Sequence, residues 1–372
     1  MKIAFVLYDY YPFGGLQDDC LKTALAAAAS GHEVHIFTRT WKGARPGNLH
    51  VHALGKSGWT NTSRNERFFE QLKKDLAPHD FDGIVAFNRV PGTDIYFAAD
   101  PCYAARTRNW SWWKKLHPRH RYYLKLEKRV FDRPNPPDTL VLTEKEIESF
   151  QEFYPVDRSK FHLLPPGVSR VDYRADTAIQ TRAELRKELG CPAGATVALF
   201  VGSGFRIKGL DRALKGIAAN RSIVPNLEFW IVGKGRSERY AKLIEAAGVP
   251  VRVLGGRADV ERFYAAADFL LHPAYSESAG KVLLEAMAHG LPVLTTDTCG
   301  YGFHIEKAGA GIVLESPFTQ SSLNQALKRF IEDSEVRKSW SDSALQYAKE
   351  EDLYSCHQTA AELIGEILRE RA

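Results

Sequence analysis

Two glutamates frame the stretch Glu277-Ser278-Ala279-Gly280-Lys281-Val282-Leu283-Leu284-Glu285. An apolar run, 269–272, ends just before it, and a helical pattern follows with Ser278 in the N-cap position. On a helix beginning there, seven steps of ~100° return Glu285 to within ~20° of the starting face, ~10 Å further along. Glu277 at the mouth and Glu285 two turns deeper would then look toward one ligand. Leu283, Leu284, Ala286 and Met287 read as buried, and a carboxylate among them needs a polar partner. The plain alternative is that Glu285 is an ordinary exposed helix residue.

Two more loops carry phosphate chemistry. Tyr11-Pro12-Phe13-Gly14-Gly15, followed by Asp18 and Asp19, links the first apolar run to a helix. Its glycines let the backbone approach a ligand and leave amides available at a helix start. It is not GxGxxG, so the dinucleotide fingerprint is absent, and a plain strand–helix turn remains the alternative. Gly202-Ser203-Gly204-Phe205-Arg206-Ile207-Lys208-Gly209 also follows an apolar run. There Arg206 can grip phosphate oxygens bidentately and Lys208 supplies a point charge. A solvated basic turn is the alternative; a GxxxxGK[ST] loop does not fit. Hydroxyl-seeking carboxylates with cations between them suit a nucleoside diphosphate sugar.

The elements that would position these loops are legible as alternation. Apolar runs at 2–7, 33–37, 83–87 and 139–142, then at 196–201, 228–232, 251–254, 269–272 and 292–295, alternate with helical patterns such as 18–29 and 237–247. Continuous apolar strands separated by helices predict parallel sheets covered on both faces. The series runs twice, with a break at Leu164-Pro165-Pro166-Gly167. The reading is α/β: two Rossmann-like doubly wound domains, 1–164 and 165–352, facing across a cleft. The last helix, 353–371, packs on either of them. Ligands in such sheets sit beyond the carboxyl ends of the strands.

A length of 372 residues suits two such cores. The five cysteines, at 20, 102, 191, 299 and 356, form no CxxC or zinc spacing, which favours free thiols and a reducing compartment. The opening apolar run is interrupted at Asp9, too early for a secretory leader, and no run reaches the ~20 apolar residues of a membrane span. A cytoplasmic chain is expected. Asp80-Phe81-Asp82 is formally a DxD, but it precedes a strand, at the wrong end for a site. It reads as a turn, and no metal or other cofactor is expected.

Taken together, the three loops resemble the retaining GT-B glycosyltransferases with an E-x7-E motif. Pro273-Ala274-Tyr275-Ser276 before Glu277, and Ala286-Met287-Ala288-His289-Gly290-Leu291-Pro292-Val293 after Glu285, extend the likeness over most of the chain. The resemblance implies a UDP-sugar donor. Gly14, Gly15 and Asp19 from the first domain and Arg170, Arg206 and Lys208 from the second would contact it. Glu285 would accept from the ribose hydroxyls, Glu277 would meet the hexose, and Ala279, Gly280 and Val282 would add amide contacts. Many relatives place an arginine directly before the lysine, where this chain has Ile207. Glu277, Lys208, Arg206 and Asp100 are the catalytic candidates.

Within that group the stretch Tyr96-Phe97-Ala98-Ala99-Asp100-Pro101-Cys102-Tyr103 and the segment after it are similar to lipopolysaccharide core hexosyltransferases. This implies transfer of glucose or N-acetylgalactosamine, in α linkage, to a lipid-A-linked inner-core heptose. Asp100 would sit on the acceptor side, with a helix N-cap as its structural alternative. Residues 103–129 carry nine cations and one acid, Glu127, a local charge of +8 within a total of +5. Arg106, Arg108, Lys114, Lys115, Arg119 and Arg121 interleave with Trp110, Trp112 and Trp113. Such a mixture suits an anionic membrane surface, at the inner face of a bacterial inner membrane. Single-stranded nucleic acid is the rival partner and is not expected, and a solvated helical face is the plain alternative. Two other functions stay open: a UDP-sugar epimerase of related fold, and a non-enzymatic membrane or nucleic-acid adaptor. The oligomeric state is not legible.

Overall fold

The computed structural model describes residues 1–12 and 14–371. The chain forms two units, one of residues 1–167 with the segment from Ser355 onward, the other Val168–Tyr354.

In the first unit, strands β1 (Lys2–Tyr10), β2 (Glu33–Trp41), β3 (His50–Ala53), β4 (Gly83–Ala86), β5 (Ile95–Ala98), β6 (Asp138–Val141) and β7 (Phe161–Leu163) form a seven-stranded sheet in the order β3-β2-β1-β4-β5-β6-β7. Its neighbours all pair in parallel. The crossovers are helices α1 (Gly15–Ala29), α2 (Asn61–Leu76), α3 (Tyr103–Thr107), α4 (Trp112–Lys115), α5 (Pro118–Phe131) and α6 (Glu144–Phe153). Residues Ile3, Ala4, Phe5, Val6 and Leu7 of β1 are fully buried, because helices cover both faces.

In the second unit, α7 (Ala175–Glu188) precedes β8 (Thr196–Val201), α8 (Leu210–Asn220), β9 (Leu227–Val232), α9 (Ala241–Ala246), β10 (Val251–Val253), α10 (Val260–Ala266), β11 (Phe269–His272), α11 (Lys281–Ala288), β12 (Val293–Thr296), α12 (Gly302–Ala308), β13 (Gly311–Leu314), α13 (Gln320–Glu332) and α14 (Ser334–Glu350). The sheet is six-stranded, β10-β9-β8-β11-β12-β13, again parallel. Both sheets have the doubly wound order of a Rossmann-like unit, with β1 and β8 at the switch points.

The final helix, α15 (Cys356–Arg371), belongs to the first unit and lies on α1. Leu368 sits where a Cβ on Gly83 would be 2.2 Å from its Cδ2, and Arg371 pairs with Asp94 and Asp138. Gly167 is equally constrained: a Cβ there would lie 2.6 Å from the Cβ of Cys356.

Several elements differ from the sequence reading. Strands β3, β5, β7 and β13, each three or four residues long, were not among the apolar runs read. The 237–247 pattern is a 3-10 turn, Ser237–Tyr240, followed by α9. The main correction concerns α11. It begins at Lys281, not Ser278, because Gly280 adopts φ 95° and acts as the cap. Glu277 therefore lies three residues before the cap, not next to it, and the shared helical face does not exist.

Candidate functional site

The second unit's loops converge beyond the adjacent carboxyl ends of β8 and β11. After β8 the chain turns through Gly202, Gly204 and Gly209, at φ 153°, 74° and 76°. Gly209 must be glycine, since a Cβ there would stand 2.0 Å from the carbonyl oxygen of Pro273. This close crossing sets the 202–209 loop against the segment after β11. The main chain then ties them, with Tyr275 N–H donating to Ile207 O at 2.7 Å.

That second segment is itself pinned. Arg212 donates to the carbonyl of Ala274 at 3.0 Å, and the hydroxyls of Thr296 and Thr298 donate to the same oxygen at 2.9 Å each. Glu277 forms a parallel bridge with Cys299. Its N–H donates to Thr298 O and its carbonyl accepts from Gly300 N–H, both at 3.2 Å. Glu277, whose placement the sequence reading derived from a helix, is thus held by a β-bridge.

On this frame Lys208 and Glu277 form an ion pair, with both side chains mostly buried. Burial lowers the Lys208 pKa. His272, fully buried, lies with its Nε2 3.7 Å from Glu277 Oε2. Burial, with the Lys208 ammonium adding to it, pushes the His272 imidazole down to about 3. The ring is therefore neutral, and the local charge is that of the pair. A cation held in so little water acts on a nearby anion more strongly than one in bulk solvent.

Gly280 lets the chain fold over the Glu277 stem, whose Cγ would stand 3.2 Å from a Cβ at 280. Ala279 is buried and Val282 half-buried. The α11 N-terminus that follows favours negative charge. Glu285, four residues into α11, is half-buried, and its Oε2 accepts from the Tyr264 hydroxyl at 2.7 Å. Arg206 is exposed and Ile207 is 51% exposed. Arg170 is also exposed, over the Tyr354 ring with 4.3 Å to its centroid.

In the first unit, Gly14 is the N-cap of α1 and Gly15 its first residue. A Cβ at Gly14 would strike the Gln17 side chain at 2.0 Å, whereas nothing lies within 4 Å of one at Gly15. Phe13 lies outside the described residues. Asp19 is 2% exposed, and its Oδ1 lies 2.8 Å from His357 Nε2 of α15.

Asp100 is exposed after β5. It is not a helix cap: α3 starts at Tyr103, with Cys102 in the cap position. The cap's work is done from a distance. The Glu127 carboxylate accepts from the N–H of Tyr103 at 2.7 Å and of Ala104 at 2.9 Å, and Glu146 accepts from Cys102 N–H at 3.0 Å. Glu127 is fully buried and pairs with Arg89 at 2.8 Å. Arg89 in turn donates to Pro101 O at 2.6 Å.

The single acid of the basic segment is thus removed from its surface. Arg106, Arg108, Trp110, Trp112, Trp113, Lys114, Lys115, Arg119 and Arg121 are all exposed, with Trp112 at 74% and Leu116 at 62%. Arg108 is paired with Glu152. No helix among the described residues is long and apolar enough to cross a membrane.

Four residues central to this geometry escaped sequence reasoning: His272, Tyr264, His357 and Glu127. His272 ends the run read at 269–272, and Tyr264 lies on α10, which was not read; nothing in their spacing links them to Glu277 or Glu285. The other two act across long sequence separations.

Comparison with known proteins gives two family matches. Residues 13–170 match Glycosyltransferase Family 4, and residues 181–347 match Glycosyl transferases group 1. The chain is 38% identical over 368 residues to the lipopolysaccharide glucosyltransferase WaaG of Escherichia coli K12, covering 98% of each. A crystal structure of WaaG, a glycosyltransferase involved in lipopolysaccharide biosynthesis, superposes with a TM-score of 0.91 at 37% identity, covering 97% of this chain and 99% of that one. Anabaena HepE in complex with UDP-glucose is similar at a TM-score of 0.74 and 18% identity, covering 98% and 100%, a likeness of fold alone.

Proposed function

This chain belongs to the GT-B glycosyltransferase family that includes WaaG, and on that premise we propose that it moves a hexose from a UDP-sugar to an inner-core heptose of lipopolysaccharide. The donor hexose is glucose or N-acetylgalactosamine, and the new linkage is α, with retention. The observation that carries this reading is the Lys208–Glu277 pair on two backbone-tied loops at the carboxyl ends of β8 and β11.

In the proposed reaction the diphosphate enters beside Lys208 and the α11 N-terminus. Lys208, with Arg206, neutralises charge as the nucleotide departs, the stage at which preorganised cations accelerate most. Release of Lys208 toward the phosphate frees Glu277 to accept from hexose hydroxyls. Ala279, Gly280 and Val282 contribute backbone contacts, Glu285 takes the ribose hydroxyls, and Arg170 is a further donor contact. Gly14, Gly15 and Asp19 are the first unit's proposed contacts to the donor, and Asp100 is its proposed contact to the acceptor. Attack on the face from which UDP leaves accounts for retention. The exposed cations and tryptophans around α4 are proposed to rest on an anionic membrane, where a lipid-linked acceptor is met.

The test is a donor screen. Purified enzyme is given UDP-glucose, UDP-N-acetylgalactosamine or UDP-galactose with lipopolysaccharide truncated at the inner-core heptose. α-Linked glucose or N-acetylgalactosamine on heptose is the expected product. Transfer from none of these donors, or a β-linked product, refutes the proposal.

A further inference from the structure

A cluster of histidines at the opposite end of the first sheet from the carboxyl ends has no part in this chemistry. It arises from register. Residues i and i+2 share one face of a strand, so Glu33, His35 and Phe37 project together from β2, and His50 and His52 from β3. The two strands pair with His35 opposite His50 and Phe37 opposite His52. The rings stack accordingly, with centroids 4.5 Å apart for His35 and His50 and 5.1 Å for His35 and His52.

The ring nitrogens of His35 have separate partners. Its Nε2 lies 2.8 Å from Glu33 Oε1, and its Nδ1 lies 2.9 Å from His52 Nε2. One ligand atom each from Glu33, His35 and His50 fall within 4.8 Å of one another. Bonds of ~2.0–2.1 Å from imidazole and carboxylate in a tetrahedral centre place ligand atoms roughly 3.3 Å apart, which these side chains reach by small rotations. Glu33 and His50 are exposed and free to make them, while His35 is 6% exposed and fixed.

We propose that Glu33, His35 and His50 form a binding site for a divalent transition cation of the zinc class, with water in the fourth position and His52 holding the His35 ring from behind. Two imidazoles and a carboxylate suit zinc and its neighbours rather than magnesium or calcium, which prefer all-oxygen shells. The His35–His52 contact is the outer-shell hydrogen bond that fixes tautomer and ring angle at such centres. In the free protein the Nε2–H of His35 donates to Glu33. With the cation bound, the His35 Nε2 proton leaves to solvent and that nitrogen gives its lone pair to the metal. The proton between the rings passes from His52 Nε2 to His35 Nδ1, which then donates to His52, and His52 takes a proton from solvent at its own Nδ1. Lys2, whose Nζ is 3.7 Å from Glu33 Oε1, yields the carboxylate to the metal. The bound cation would clip the edge strand β3 to β2 and stabilise the fold by mass action.

The experiment uses the untagged full chain, stripped with chelator and titrated with zinc chloride by calorimetry. One zinc per chain, a raised thermal midpoint and the visible absorption of tetrahedral cobalt on substitution are expected. Glu33→Gln and His50→Ala, both at exposed positions, should each weaken binding at least as much as the about 10–100-fold typical of a lost outer-shell partner. Neither should change transfer activity. Absence of zinc binding, or unchanged binding in the double variant, overturns the proposal. So does binding that is lost instead in His357→Ala, since Asp18, Asp19 and His357 form the other candidate group.

Discussion

The hydroxyl of Tyr264 donates a 2.7 Å hydrogen bond to Oε2 of Glu285, joining α10 to α11. Burial pushes the phenol's pKa well above its ordinary value, and the neighbouring carboxylate adds to this, so Tyr264 is a donor at any working pH. It leaves the other oxygen of Glu285 to the ligand. Tyr264→Phe removes a hydrogen bond to a charged group, and such bonds contribute roughly 1.5–3 kcal/mol. A donor KM raised about 10-fold or more, with kcat much less affected, is expected from steady-state kinetics. An equal loss in kcat would mean that Glu285 acts on the reacting centre and not on the ribose.

Acid should weaken the fold through buried histidines. Burial lowers His272 to about 3, helped by Lys208, and His304 to about 4, from an ordinary value of ~6.5. The unfolded chain therefore binds more protons than the folded one below pH ~6.5. This contribution is complete above that pH and is lost as pH falls toward the folded values. Thermal midpoints should drop steadily from pH 7 to pH 5. His304→Gln, which removes a group held 2.7 Å from the Tyr347 hydroxyl, should flatten part of that slope. A midpoint independent of pH over the same range would contradict the assignment.

Glu127 holds the start of α3 and neutralises Arg89 without any exposure of its own. Glu127→Ala leaves a buried guanidinium unpaired, a change that costs about 3–5 kcal/mol. Denaturant unfolding should report a loss of that order. Glu127→Gln keeps the acceptor geometry for one amide and should lose less. If both variants unfold like the parent, the network does not support the Asp100 loop.

The basic segment gives a separate prediction. Vesicles containing anionic lipid should bind the protein, and vesicles of neutral lipid should not. Replacing Lys114, Lys115, Arg119 and Arg121 with Gln should abolish binding, since each cation near such a surface contributes about 1 kcal/mol. Equal binding to both vesicle types would overturn the electrostatic account.

Much of the fold was legible because parallel strands buried on both faces are continuous apolar runs, as in β1, β8 and β9. Strands β3, β5, β7 and β13 were not read, since three or four residues carry little pattern, whereas β10, equally short, was read at 251–254. For the candidate site, residue types at 202–209 and 277–285 singled out two loops that the structure ties together, but the helical geometry assigned to the second was wrong. Gly280 was read as a backbone contact to the donor, with Ser278 as the cap; in the structure Gly280 is itself the cap of α11, three residues after Glu277. The β-bridge to Cys299, the Tyr264 hydrogen bond and the His357–Asp19 contact depend on elements distant in sequence. Local periodicity does not encode such meetings.

The central claim is that Lys208 and Glu277 exchange their ion pair for a UDP-sugar. The most direct test measures transfer and UDP affinity in Lys208→Ala and Glu277→Ala, with circular dichroism to confirm folding. Loss of one preorganised donor at a developing charge costs about 10²–10³ in rate, so Lys208→Ala should lose at least that in kcat and bind UDP more weakly. Glu277→Ala should lose transfer while still binding UDP. Full activity in both folded variants would contradict the account.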